Sequence, residues 1–193
     1  MKSVELQGTV REARGKKGSK ALRAQENVPC VLYGNGENKF FYASESQFRE
    51  IIYTPNVYLI NLDLSGKKHR AIIQDIQFHP VTDKLVHIDF LEVTENKKVV
   101  VNLPVTVSGN SQGVKEGGKL SVDKKRLKVK AFVKDMPEVV NIDITTLGMG
   151  KTIRIGDLKF DKVEFVEPAS MPVVTVKATR QAKEAAESTG KGK

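Results

Sequence analysis

Short runs in which apolar and polar residues alternate constrain this chain more than any other feature. Val4–Val10, Val28–Tyr33, Lys39–Ala43, Val57–Leu64, Lys67–Phe78 and Leu85–Val93 all carry that period of two, which suits a strand with one face buried and the other in water. Ser65-Gly66 makes a tight turn between the fourth and fifth runs. One helix interrupts them: Ser44 and Gln47 have capping-box spacing, Phe48, Ile51 and Ile52 recur at helical intervals, and Pro55 ends the pattern. A second, short helix is expected to start at Ser19.

Between residues 92 and 98 the chain turns polar, and a new set of strands opens at Val99. The pattern therefore predicts two domains, 1–91 and 99–179, joined by a linker at 92–98. The second is all-β, with strands at Arg126–Val133, Val139–Ile144, Thr152–Ile155, Val163–Val166 and Val173–Lys177 separated by Gly and Pro. Residues 180–193 are too polar to bury a face and read as a disordered tail. No repeat suggests a solenoid or propeller.

With 39% hydrophobic and 28% charged residues and no tryptophan, the 193-residue chain has the composition of a soluble globular protein. Thirty-two Lys and Arg against 23 Asp and Glu give a net charge of +9, which favours polyanionic partners because cations that neutralise phosphates release condensed counterions. The single Cys30 excludes an internal disulfide and reads as a small apolar filler in a strand. No apolar run approaches the roughly 18 residues of a membrane span, and Met1–Glu5 has no apolar leader core. A cytoplasmic chain with no membrane partner is expected.

Three segments carry possible chemistry. Val10–Arg23 holds six cations, one anion and two glycines in fourteen residues, a basic loop entering a helix. With Ser19 as N-cap, Lys20 stands at the positive end of the helix dipole, a place that an anion such as phosphate would relieve. The plainer alternative is a solvated loop, and Walker spacing is absent. In Leu85–Leu91, alternation buries Val86, Ile88 and Phe90 and sets His87 and Asp89 together on the other face. That pair is either an unremarkable surface pair or a reader of sugar and base edges in the wide minor groove of RNA. In Lys124–Lys130, basic residues at even positions alternate with apolar ones; this is a strand whose solvated lysines suit edge protection, or contact with RNA.

Enzymatic signatures are missing. No nucleophile elbow accompanies the His and Asp residues, and His69, His79 and His87 lack the spacing or cysteine partners of a metal site. The reading is a binding protein with no catalytic residues, no cofactor and no small-molecule substrate.

Taken in order, these segments resemble the large-ribosomal-subunit family called L twenty-five, in its longer form also named Ctc or general stress protein. The resemblance rests on the basic Gly-Lys loop with Ser19-Lys20-Ala21-Leu22-Arg23, on Val28–Gly34, and above all on Gln74–Pro80 followed by Leu85–Phe90. In the second domain it rests on Gly113–Leu120 and Ile155–Leu158. It spans about residues 5–178. It implies a first domain that is a small antiparallel β-barrel with a few short helices, similar to the anticodon-binding domains of glutaminyl-tRNA synthetase. It also implies 5S ribosomal RNA as partner, gripped at the irregular loop E helix. Carried over by motif, Arg11, Lys16, Lys20 and Arg23 would neutralise phosphates, while Tyr33, Gln74, His87 and Asp89 would line the minor groove. Other large-subunit components would meet the C-terminal domain. Two positions depart: Ala21 and Phe78 stand where the family often has Arg. The alternative is a tRNA-binding or protein-interaction module acting as a ribosome-associated stress factor.

Overall fold

The structure is a computed structural model that describes residues 1–11, 15–95, 97–160 and 162–179. The tail expected at 180–193 and Arg14 of the basic loop lie outside the described residues. The backbone divides into two compact units, Met1–Val101 with Phe132–Glu138, and Asn102–Ala131 with Val139 onward.

The first unit contains β1 (Lys2–Val10), α1 (Lys16–Ala24), β2 (Asn27–Tyr33), β3 (Lys39–Ser44), α2 (Glu45–Ile52), β4 (Tyr58–Leu64), β5 (Lys67–Phe78) and β6 (Leu85–Glu92). The six strands close into a barrel in the order β1-β3-β2-β6-β5-β4. Alternation sends Leu6, Cys30, Leu32, Phe41, Ile88 and Phe90 inward, each almost wholly buried. Their burial, at roughly 25 cal/mol per Å² of apolar surface, is what holds the barrel shut, and closure leaves it no free edge. Ser65 and Gly66 both have positive φ, 53° and 83°, the left-handed pair that matches strand twist in a two-residue hairpin.

The barrel is mainly β, as expected, but not wholly antiparallel: β1 runs parallel to β4 and β2 parallel to β6. Parallel neighbours need long crossovers. Here α1 and α2 lie on the chain between β1 and β4, and α2, β4 and β5 between β2 and β6.

Both helices differ in detail from expectation. α1 begins at Lys16, so Ser19 is inside the helix and is not its cap. Gly15 caps it with φ 107°, a conformation that L side chains rarely adopt, and accepts the Ser19 N–H at 3.1 Å. α2 does start after Ser44, yet no capping box forms. The Ser44 hydroxyl bonds that of Ser46 at 2.9 Å, and Gln47 Oε1 accepts the Gln7 N–H of β1 instead.

The strands that follow are β7 (Lys98–Ser108), then α3 (Gln112–Lys115), β8 (Lys119–Val122), β9 (Arg126–Phe132), β10 (Val140–Asp143), β11 (Thr152–Arg154), β12 (Glu164–Phe165) and β13 (Pro172–Lys177). They form a four-stranded sheet, β10-β7-β9-β12, and a three-stranded one, β11-β13-β8. Leu103, Leu127, Val129, Val140, Val174 and Val176 are buried among them. The short β8 and α3 have no counterpart in the sequence reading. Ser111 caps α3, accepting the Val114 N–H, while its buried hydroxyl donates to the Leu147 carbonyl.

Candidate nucleic-acid interface

Two elements of the barrel carry the expected site residues. Lys16, Lys20 and Arg23 lie on α1 at i, i+4 and i+7, so they form one exposed stripe that runs about 10 Å along the helix. The first turn of α1 has no acidic residue, so the positive end of its dipole adds to the stripe. Arg11, just after β1, sends its guanidinium to the Ser19 hydroxyl at 3.2 Å and lies over the Phe40 ring. It is half-buried and pins the start of α1.

The second element is the outer face of β2, β6 and β5. His87 and Asp89 project from β6, with the His87 Nδ1 2.7 Å from Asp89 Oδ1. About a quarter of each side chain is exposed, 23% and 29%. The carboxylate thus orients the ring and leaves Nε2 turned to the outside. In the parallel pairing of β2 with β6, Val31 stands beside Asp89 and Tyr33 beside Leu91. Burial, with the carboxylates of Asp89 and Asp75, holds the Tyr33 phenol above its ordinary pKa, so it stays protonated and able to donate.

The stripe and the sheet face meet at a bulge. Between Gln77↔His87 and Phe78↔Leu85 the β5–β6 register shifts, and the extra residue is Val86, half-buried instead of fully buried as alternation predicted. Its carbonyl accepts Arg23 Nε at 3.0 Å. Arg23 therefore belongs to both elements.

A second shift, between Ile73 and Asp75, leaves Gln74 as the extra residue of β5. Ile73 and Ile76 pack toward the core while Gln74 and Asp75 are exposed. All eight expected positions fall on the first unit, and α1, β2, β5 and β6 gather seven of them around one corner. Two neighbours went unselected in the sequence reading: Gln77 stands opposite His87 and Asp75 opposite Asp89. The alternation of β5 was the available signal, since it sets Asp75 and Gln77 on one face. Two carboxylates directly across a strand pair repel, and Asp89 has the His87 ring as a partner within the protein.

No group of three or more His, Cys, Asp or Glu among the described residues is arranged to hold a metal ion, and no described helix is long and apolar enough to cross a membrane. Cys30 is fully buried inside the barrel.

Two family models match the chain. Residues 6–90 match the Ribosomal L25p family, and residues 98–180 match the ribosomal protein TL5 C-terminal domain. Relatives named large ribosomal subunit protein bL25 align over nearly their whole length. That of Porphyromonas gingivalis is 45% identical, covering 96% of this chain and 98% of the relative. Those of Bacteroides thetaiotaomicron and Cytophaga hutchinsonii are 41% and 43% identical, covering 99% and 95% of this chain and 100% and 96% of the relatives.

Proposed function

The chain belongs to the bL25 family of large-ribosomal-subunit proteins, and on that premise we propose that its barrel binds 5S ribosomal RNA at the irregular loop E helix. As a family member it is a structural, non-enzymatic component that works on the ribosome in the cytoplasm. The proposal adds the RNA partner, the loop and the residues, together with the division into domains 1–91 and 99–179 around a linker at 92–98.

The observation that carries it is the Arg23–Val86 bond, which fixes a cationic helix stripe beside a sheet face of hydrogen-bonding groups. These parts suit different tasks. Lys16, Lys20 and the free edge of the Arg23 guanidinium take phosphates, which set register and supply most of the affinity. Arg11 contributes charge while holding α1 in place. Tyr33, Gln74, His87 and Asp89, with Gln77 and Asp75 beside them, face the wide minor groove, where 2′-hydroxyls and base edges are accessible. Carboxylates there accept from hydroxyl and amino donors and repel phosphates, so they reward a groove and penalise a backbone. Phe78, 42% exposed, offers an aromatic face where an Arg was expected, which suits stacking on an unpaired base.

The test is binding of the full chain to a labelled loop E fragment over a salt series, with transfer RNA and a regular RNA duplex of equal length as competitors. Preference for loop E supports the proposal; equal competition by all three removes loop E as the target.

A further inference from the structure

We propose that the second unit carries its own contact for an RNA phosphate backbone, on the outer face of β9. This goes beyond the barrel's reading and rests on different residues. Edge protection does not account for Lys128 and Lys130, because there β9 lies inside its sheet, between β7 and the two-residue β12. Where β12 covers it, from Lys128 to Lys130, the strand has main-chain partners on that side and needs no charges to repel a foreign strand.

The side chains divide cleanly. Leu127, Val129 and Ala131 are buried, while Arg126, Lys128 and Lys130 are exposed between them. Alternate residues of a strand recur about every 7 Å, so three cations stand in a straight row. Lys124 and Lys125 precede the row, and Lys124 is 3.8 Å from Glu167. Among the described residues Arg126, Lys128 and Lys130 have no ion-pair partner within the same reach. Glu164 of β12 is opposite Lys130 in the register, and Asp143 stands on the far edge strand β10, so carboxylates flank the row without interrupting it. Thr106 of β7 and Asn141 of β10 are paired in register and exposed, and they share this outer face because their neighbours Val140 and Ile142 are buried. They add neutral hydrogen-bonding groups beside the cations.

A row of like charges with carboxylates only at its margins is unfavourable in the isolated protein and is relieved by a ligand bearing anions at regular intervals. A nucleic-acid backbone has that form, whereas a single small anion would meet one or two members of the row. The neutral Thr106 and Asn141 suit sugar and phosphate oxygens, and no aromatic residue of β9 is exposed for base stacking. The contact is therefore with backbone and indifferent to sequence.

The experiment uses the full chain and a labelled regular RNA duplex. Replacing Arg126, Lys128 and Lys130 together by Gln should lower the log–log salt slope by about 2 to 3, at roughly 0.7 to 0.9 per contact. The same reduction should appear in a background already carrying Lys16→Ala and Lys20→Ala, because independent contacts add. Lys128→Thr, a strand-compatible single change, should remove about one contact's worth of slope, and Lys128→Arg should remove none. An unchanged slope in Lys128→Thr overturns the proposal whether or not the triple variant folds. Displacement of the duplex by polyglutamate at equal charge overturns it in favour of an acidic protein partner. The barrel's reading fails separately, by loss of preference for loop E with this slope intact.

Discussion

Arg23 Nε donates to the main-chain oxygen of Val86 at 3.0 Å, joining residues 63 apart in sequence. The bond exists because β6 bulges at Val86 and frees a carbonyl from the ladder. It gives Arg23 two roles, charge and position, which substitution can separate. Arg23→Lys keeps the charge but loses the planar fork that serves the carbonyl and a phosphate at once. Its salt slope should stay as in the parent while loop E affinity falls about 3- to 10-fold, the range of a lost net hydrogen bond. Arg23→Ala should also flatten the slope by roughly 0.7 to 0.9. Titrations at several salt concentrations check both: Arg23→Lys behaving as the parent would show that Arg23 acts as a charge alone, and identical behaviour of the two variants would show that its charge contributes nothing.

The His87–Asp89 pair predicts a different signature. His87→Ala and Asp89→Asn remove groups assigned to the groove and not to phosphate, so the salt slope should not change. Discrimination between loop E and a regular duplex should fall by roughly tenfold or more, since hydrogen bonds to charged groups contribute about 1.5–3 kcal/mol. Competition binding measures this ratio directly. A uniform loss against both RNAs would mean that the pair only supports the barrel.

The strands were legible because each buries one face, and Val28–Tyr33 and Leu85–Leu91 could be placed by period alone. What alternation cannot reveal is an extra residue: the bulge at Val86 breaks the count, so Val86 is half-buried where alternation sets it inward. The start of α1 was misplaced for another reason. Ser19 has the chemistry of a cap, but Gly15 reaches a positive φ and performs that function without a side chain. The position of β9 inside its sheet depends on β12, a partner of two residues that no local pattern announces. Parallel pairing in the barrel is likewise a property of crossovers, which lie between the strands and not within them.

Cys30 predicts a pH dependence of stability. Burial pushes its thiol far above the ordinary value of 9.0, with a smaller opposing pull from Arg11. The folded state therefore holds its proton where the unfolded state releases it. Above about pH 9 the unfolded chain binds fewer protons, and stability should fall with rising pH by up to about 1.4 kcal/mol per unit from this group. Cys30→Ala should lose that component of the slope while costing core packing at all pH values. Urea unfolding of both proteins between pH 7 and 10 checks the difference, and parallel curves would exclude the thiol. In the native parent, a thiol reagent should label Cys30 only as fast as the barrel opens.

Gly8 tests the packing of the barrel itself. A Cβ built there would lie 2.6 Å from the Phe41 ring and 2.8 Å from a Leu64 methyl, well inside contact distance. The Phe41 ring has little room to retreat: it is wholly buried with its centroid 5.4 Å from that of Phe90, which in turn packs 6.3 Å from Phe48. Two effects oppose each other in Gly8→Ala. Removing a glycine from a strand reduces the entropy of the unfolded chain and stabilises by about 0.4–1 kcal/mol. Overpacking a filled core costs about 1–3 kcal/mol. The second is larger here, because the clash is with a buried ring that packs on the Phe90 ring, so a net loss of about 1–2 kcal/mol is expected, or a fall in melting temperature of several degrees for a unit this size. Phe41→Leu in the same chain opens the space that the methyl needs, so the double variant should be less destabilised than the sum of the two single ones. Additive losses would mean that Gly8 and Phe41 do not share that space.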